Sequence, residues 1–343
     1  MRTYLEKVQQ GVSLNELEMR GVAEQLLSAE ASKDDIAQFI QALSIKGETI
    51  EEITGLVSVL KEKAIQVPLP LGDVFDNCGT GGDGANTFNI STTASFILAG
   101  AGLKVAKHGN RRISSTTGSA DVLEELDIAL DFRPDEITEL LEHTNIAFLF
   151  APFMHPNMKQ IQEVRRSIGK PSIFNLIGPL TNPVELTSQL IGVYDQTRLM
   201  DLAAVSHRLG RKRSVVLTGP NGMDEASLAG ENHLVLMDQG DLIPFTLNPE
   251  EVGLSPAPLE AIQGGDAREN VRILTSVLQG EPSPYLDTVL LNAGIGLFAA
   301  GVTSTIQEGI HKARESVNSG RAQNSLHQVI AYSKKRQLSE VRR

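Results

Sequence analysis

Apolar and polar positions in the first 65 residues recur every three and four places, the pattern of short amphipathic helices. Leu14, Leu17, Val22 and Leu26 line one predicted helix face, and Ile36, Phe39, Ile40 and Leu43 line another. Ser13 with Glu16 and Thr49 with Glu52 have capping-box spacing, in which two side chains satisfy orphan backbone N–H groups at a helix start. "VPLPLG", residues 67–72, interrupts the pattern with two prolines and reads as a domain linker.

Past the linker the texture becomes strand, glycine turn, helix. Residues 73–77 form a predicted short strand, and an Ala-rich helix follows over 91–101. "KVAKHGN" reads as a strand running into a loop, 146–150 as a buried parallel strand, and "SQLIGVY", "SVVLTG" and "HLVLM" as three more. Helical periodicity over 134–143, 198–209 and 267–278 lies between them, and the chain is helical again from Tyr285. The alternation predicts an α/β protein: a small all-helical domain (1–70), then a larger α/β domain (71–343) with a mainly parallel central sheet flanked by helices. Within it "PNMKQIQEVRRSIG", residues 156–169, is a predicted helix with proline in its first turn and glycine at its end. Its spacing puts Met158, Ile161, Gln162 and Arg165 on one face. The chain has no internal repeat, and the tail "KKRQLSEVRR" reads as a solvated end.

Composition narrows the function classes. A length of 343 residues is enough for two domains, since single cores stop growing at about 250–300 residues. The net charge of -11 opposes generic nucleic-acid binding, which relies on clustered Lys and Arg, and a chain without Trp has little to stack on bases. No window approaches the roughly 18 apolar residues of a membrane span, and the charged opening "MRTYLEKVQQ" is unlike a signal peptide. One cysteine, Cys78, cannot form an intramolecular disulfide, which fits a reducing cytoplasm. We therefore expect a cytoplasmic protein with neither nucleic-acid nor membrane partners.

The densest chemistry lies at 76–92, "DNCGTGGDGANTFNIST". Glycines at 79, 81, 82 and 84 permit positive φ and leave no Cβ in the way of a ligand, so the run serves either as a phosphate cradle or as a tight structural turn. It lacks the Gly-Lys-Ser/Thr ending of a P-loop and the spacing of a dinucleotide loop. Thr87, Asn89, Ser91 and Thr92 follow with hydroxyls and an amide. Ser91 can offer an oxygen to a hard cation such as Mg²⁺ or cap the helix, and Asp83 can be a ligand or a turn residue. Cys78 reads as a small buried thiol, since no histidine adjoins it.

Two further stretches stand out. "AKHGNRRISSTTGSAD", 106–121, gathers Lys107, Arg111 and Arg112 with five hydroxyl residues, a composition that suits a diphosphate or a solvated loop. His108, beside Lys107, is expected to be neutral. "NGMDEAS" sets Asp224 beside Glu225 at a strand end, where two carboxylates share a Mg²⁺ through its waters or simply decorate the surface.

Taken together, "CGTGGDG", "NIST", "KHGNR", "GSADVLEEL", "FLFAPFMHPNMK", "VRRSIG", "IFNLIGPLTNP" and "GMDE" resemble, in order and approximate spacing, the anthranilate phosphoribosyltransferase family. The likeness covers the chain to about residue 320. It implies a class II nucleoside phosphorylase-like fold whose helical domain is rejoined by about 156–188, and a homodimer formed through that domain. It implies transfer of phosphoribosyl from phosphoribosyl diphosphate to anthranilate, with Mg²⁺, two ions per site. Gly79, Gly82, Asp83, Thr87, Asn89, Ile90, Ser91, Thr92, Lys107, His108, Gly109, Asn110, Arg111, Ser115 and Ser119 are the implied contacts to phosphoribosyl diphosphate. Gly79, His108, Asn110, His155 and Arg165 are those to anthranilate, and Ser91, Asp224 and Glu225 the metal ligands. No acid or base is singled out as catalytic; Lys107 and Mg²⁺ would stabilise the transition state. The chain departs from the family at Thr116, commonly lysine, and at Lys170 and Pro171 in "KPSIFN", where an arginine is frequent. Two rival readings are a pyrimidine nucleoside phosphorylase, whose phosphate and base signatures differ from "KHGNR" and "HPNMK", and a nucleic-acid-binding relative, which an acidic chain with intact site motifs does not suit.

Overall fold

The computed structural model describes residues 1–28, 30–68, 72–111 and 117–340. Among these, seven strands form one sheet in the order β3-β2-β1-β4-β5-β6-β7: β1 Val74–Asp76, β2 Lys104–Gly109, β3 Ile146–Phe150, β4 Ser188–Gly192, β5 Arg213–Thr218, β6 Asn232–Asp238 and β7 Asp241–Leu247. Pairings from β3 through β5 are parallel, while β6 and β7 run antiparallel to their neighbours. The sheet is mainly parallel as expected, but β7 was not predicted. Its turn is Gln239-Gly240, with φ of +53° and +102°. Positive φ at both central residues marks the primed turns that suit strand twist.

Alternation along the central strands feeds two cores. Leu190, Val215, Leu217, Leu234 and Leu236 face a core shared with the helices Ile90–Gly100, Pro284–Ala299 and Ile306–Asn318. Their neighbours Ile191, Val216, Val235 and Met237 face the opposite side, where the helix Leu199–Arg208 and the N-terminal bundle pack. The bundle comprises the helices Arg2–Gln9, Glu16–Leu26, Lys33–Lys46 and Ile50–Glu62. Ile161, Val164, Ile173 and Phe174, from much later in the chain, belong to its core.

Three local expectations need correction. The Ser13/Glu16 box does not form; Asn15 caps the helix with Glu18 instead, and the helix begins at Glu16. Leu14 stays outside it, buried, with its N–H donated to Glu52 Oε1 at 2.9 Å. Leu17 is consequently turned to solvent, 79% exposed, and Met19 takes the core position. The Thr49/Glu52 box and the core face from Ile36 to Leu43 form as expected. The tail is not merely solvated: Arg336, in the helix Arg321–Glu340, pairs with Asp131 at 2.6 Å and Glu136 at 3.2 Å and lies over the Phe132 ring. Over 156–169 a 3₁₀ turn, Pro156–Met158, leads into the helix Lys159–Ile168, which Gly169 ends with φ +63°. Pro171, two residues past that glycine, stands where proline blocks further helix.

Candidate active site

At β1 the strand order reverses, with β2 and β3 on one side and β4 and β5 on the other. Loops leaving the carboxyl ends of β1 and β4 therefore diverge, and the crevice between them is where open α/β sheets bind ligands. The glycine-rich run begins there. Gly79 pairs in parallel with Gly192, and the Thr80 N–H donates to the Gly192 carbonyl at 2.9 Å.

Glycine at 79 and 192 is required by a protein group. A Cβ on Gly79 would lie 2.3 Å from Asp224 Oδ2, and one on Gly192 would lie 1.6 Å from the Asp224 carbonyl. The two bare backbones admit the segment that carries Asp224 and Glu225 into the crevice. Gly81 N–H holds Asp224 Oδ2 at 2.6 Å, and Ser91 N–H, in the first turn of the helix Ile90–Gly100, holds Glu225 Oε1 at 3.1 Å. That helix is capped at Asn89, not at Ser91. The Ser91 hydroxyl is thereby directed to Glu225. Asp83 closes its own turn on Ala85 N–H at 3.1 Å, the turn role read for it, and also receives the Asp224 N–H at 3.4 Å.

Burial raises the pKa of Asp224 well above the carboxylate range, with the neighbouring charges of Glu225 and Asp83 adding to it. The same cause lifts Glu225 to about 7, against the opposing pull of Lys107. Among the described residues, no three His, Cys, Asp or Glu side chains cage an ion alone. Two carboxylates and a hydroxyl on one wall nevertheless fit Mg²⁺, which keeps several waters and takes its remaining ligands from substrate phosphates.

Across the crevice the charges reverse. Lys107, 3% exposed, donates its ammonium to the Asn77 carbonyl at 3.0 Å. His108 is part of β2, not of a loop, and its Nδ1 lies 3.2 Å from the Gly178 carbonyl. Its ring meets His155 edge-on at 5.4 Å, and the Nε2 atoms of both are buried without a partner among the described residues. Burial lowers His108 to about 3, with His155 adding to the shift, and lowers His155 to about 4. Both rings are neutral, as expected for His108, though burial and not Lys107 is the main cause. Arg165 lies over the Phe174 ring at 5.4 Å and donates to Asn175 Oδ1 at 3.5 Å. Desolvation lowers its pKa, and among the described residues no carboxylate pairs with it. A half-buried guanidinium without a counter-ion is a receptor for an anion.

These groups line one cavity of about 260 Å³. Every implied substrate contact and metal ligand lines it except Ser115, which lies outside the described residues together with Arg112 and Thr116. Some of them are already engaged. Arg111 is clamped by Glu124, at 2.6 Å, and Asp121, at 3.2 Å. Asn89 accepts from Asn270 at 2.8 Å and donates to the Thr117 carbonyl at 3.2 Å, which fixes the returning chain. Ser119 donates to the Asn110 carbonyl at 3.1 Å and faces Gly109, where a Cβ would lie 2.6 Å from its oxygen. Cys78 is half-buried with its thiol pushed far up by burial, so it is no nucleophile. Met158, Gln162 and Arg165 face the cavity, whereas Ile161 points into the bundle core. Sequence reasoning assigned no role to Leu60, Phe174 or Gly178, which also line it; the quoted "IFNLIGPLTNP" was the available signal for the last two.

Comparison with known proteins finds relatives along nearly the whole chain. A family model described as "Glycosyl transferase family, a/b domain" matches residues 71–323, and "Glycosyl transferase family, helical bundle domain" matches 2–64. An anthranilate phosphoribosyltransferase of Exiguobacterium sibiricum is 58% identical over 326 residues, 95% of this chain and 96% of that protein. The crystal structure of the Thermus thermophilus anthranilate phosphoribosyltransferase superposes with a TM-score of 0.91 at 39% identity, covering 96% of this chain and 99% of that one. The Saccharomyces cerevisiae enzyme, in complex with PRPP and Mg, gives 0.88 at 27% identity over 97% of each chain.

Proposed function

The chain belongs to the anthranilate phosphoribosyltransferase family, and on that premise we propose that it transfers the 5-phosphoribosyl group of phosphoribosyl diphosphate to the amine of anthranilate. The products are N-(5-phosphoribosyl)anthranilate and diphosphate, a step in tryptophan biosynthesis. The observation that carries the reading is one cavity with two differently equipped ends: carboxylates, hydroxyls and backbone N–H groups at one, and at the other two neutral imidazoles and a guanidinium with no carboxylate partner among the described residues.

Breaking the bond at ribose C1 expels diphosphate, so stabilising charge on the leaving oxygens is the main task. Gly79, Gly82, Asp83, Thr87, Asn89, Ile90, Ser91 and Thr92 would receive the donor from the loop side, with Lys107, Gly109, Asn110, Arg111 and Ser119 opposite. Mg²⁺, two ions in this reading, would be held by Ser91, Asp224 and Glu225 and supply positive charge for the departing diphosphate. At the other end Arg165 grips the anthranilate carboxylate in two-pronged fashion, which a lysine cannot reproduce, and Phe174 fixes the guanidinium plane. His108, His155, Asn110 and Gly79 surround the ring and amine. An aromatic amine is neutral at pH 7, so orientation replaces a strong base.

The reading extends to a cytoplasmic homodimer, with 1–70 and about 156–188 forming the helical domain and 71–343 the other. The single thiol, Cys78, fits the compartment. Anthranilate fluorescence, followed after adding protein, phosphoribosyl diphosphate and Mg²⁺, tests the activity. It should fall as product forms, and an unchanged signal with folded protein refutes the assignment.

A further inference from the structure

Behind the cavity, away from any substrate, the fold buries two charges. Asp76, the last residue of β1, is 0% exposed, and Arg211, just before β5, is 1% exposed. They do not touch; Gln189 of β4 stands between them. Its Nε2 donates to Asp76 Oδ2 at 3.1 Å and to the Pro179 carbonyl at 2.6 Å, while its Oε1 accepts from Arg211 Nε at 3.2 Å. Arg211 also donates to the Leu180 carbonyl at 3.2 Å. The other Asp76 oxygen accepts the His108 N–H at 3.3 Å. Asn182 braces the same carboxylate at 3.1 Å and donates to the Ala106 carbonyl at 2.8 Å.

These contacts close a ring. His108 N–H binds Asp76, Asp76 binds Gln189, Gln189 binds Pro179, and the adjacent Gly178 carbonyl faces His108 Nδ1. A carbonyl only accepts, so the ring closes only when Nδ1 carries the proton. Nε2 is then left as a buried lone pair on a ring that lines the cavity. The same segment, 178–181, ends at Thr181, whose backbone lies against the His155 ring. Two separated buried charges are poor stabilisers, because desolvation exceeds their attraction and apolar replacements are frequently as stable. Where such groups persist, specifying one conformation is the role left to them.

We propose that Asp76, Gln189 and Arg211 are positioning residues that hold segment 178–181 against the strand ends and so fix the tautomer of His108 at the acceptor end of the cavity. The link to anthranilate rests on the proposed function; the tautomer does not. Two variants separate positioning from folding. Gln189→Glu keeps the shape but sets a carboxylate against Asp76. The double variant Asp76→Asn, Arg211→Met removes both buried charges together.

¹⁵N-histidine spectra of the full chain, which has seven histidines, should show a single Nδ1-protonated tautomer for His108 in the unsubstituted protein and a mixture in both variants. The double variant should melt within a few degrees of the parent, yet raise KM for anthranilate about tenfold, the value of one oriented hydrogen bond, with KM for phosphoribosyl diphosphate nearly unchanged. A mixed tautomer in the parent protein overturns the proposal outright. So does a single parental tautomer, with parental KM, in the double variant. If Gln189→Glu fails to fold, the double variant and the parental spectrum decide. If the parent does not turn over anthranilate, the functional reading fails while the spectra still judge the ring.

Discussion

The two walls of the cavity face the same problem with opposite chemistry. On one, Asp224 and Glu225 are carboxylates whose pKa values burial and the negative charge of neighbours such as Asp83 raise; on the other, His108, His155 and Arg165 are bases whose pKa values burial lowers. The acidic wall keeps its groups close enough to repel, so it lacks positive charge. The basic wall instead turns its histidines neutral and leaves one guanidinium without a carboxylate partner among the described residues, so it lacks a single negative charge. A magnesium-bound diphosphate and a carboxylate are what these walls lack, and their placement orients the transfer.

The largest expected effect breaks the acidic wall. Asp224→Asn with Glu225→Gln should lower kcat about a thousandfold, the scale of removing preorganised charge stabilisation. The metal-free double variant should also melt higher than the parent, because like-charge repulsion is gone. A lower melting point would show that the pair is not strained. Next in size, Arg165→Ala should raise KM for anthranilate about a hundredfold and leave that for phosphoribosyl diphosphate nearly unchanged, as loss of a charge-assisted pair predicts. Equal effects on both substrates would contradict the separation of the two ends.

A smaller effect distinguishes the walls by pH. Glu225 titrates near 7 in the fold and near 4.5 when unfolded, so the native state holds its proton longer. Stability from that proton is full below 4.5 and is lost as pH rises through 7. Mg²⁺ should offset the loss, making its shift of the melting temperature larger at pH 8 than at pH 5 by a few degrees. A pH-independent shift would argue against binding at this pair. The smallest expected effect is none: His108 and His155, near 3 and 4 in the fold against 6.5 ordinarily, should show no titration between pH 5 and 8. Their share of stability is complete above 6.5 and disappears as pH falls toward 3–4, the opposite sense to Glu225.

What the sequence made readable was local. β3, Ile146–Phe150, and the helix Pro134–His143 appear where five apolar residues in a row and a proline-led amphipathic stretch placed them. Helical spacing put Arg165 on the face of Met158 and Gln162, and the family resemblance supplied its role. The misses turn on competition between neighbours or on distant partners. Ser13/Glu16 and Asn15/Glu18 are overlapping boxes, and Glu52, 38 residues away, fixes Leu14 outside the helix and selects the second. "SVVLTG" and "HLVLM" read alike as buried strands, so nothing local revealed that β6 runs antiparallel to β5. β7, half exposed and carrying Pro244, has the composition of an edge. The ring through Asp76, Gln189 and Pro179 joins residues more than 100 positions apart, which no spacing rule reaches.

The alternation of Ile191, Val216 and Val235 into the bundle's core has a practical corollary. The bundle makes a poor interchangeable cassette. Expressed without its sheet it would present an apolar flank to water, and grafted onto a relative's larger half it would meet side chains of a different shape. Substitutions on either side of that seam are therefore inherited best in matched pairs, so a recombination library should place its crossover points elsewhere.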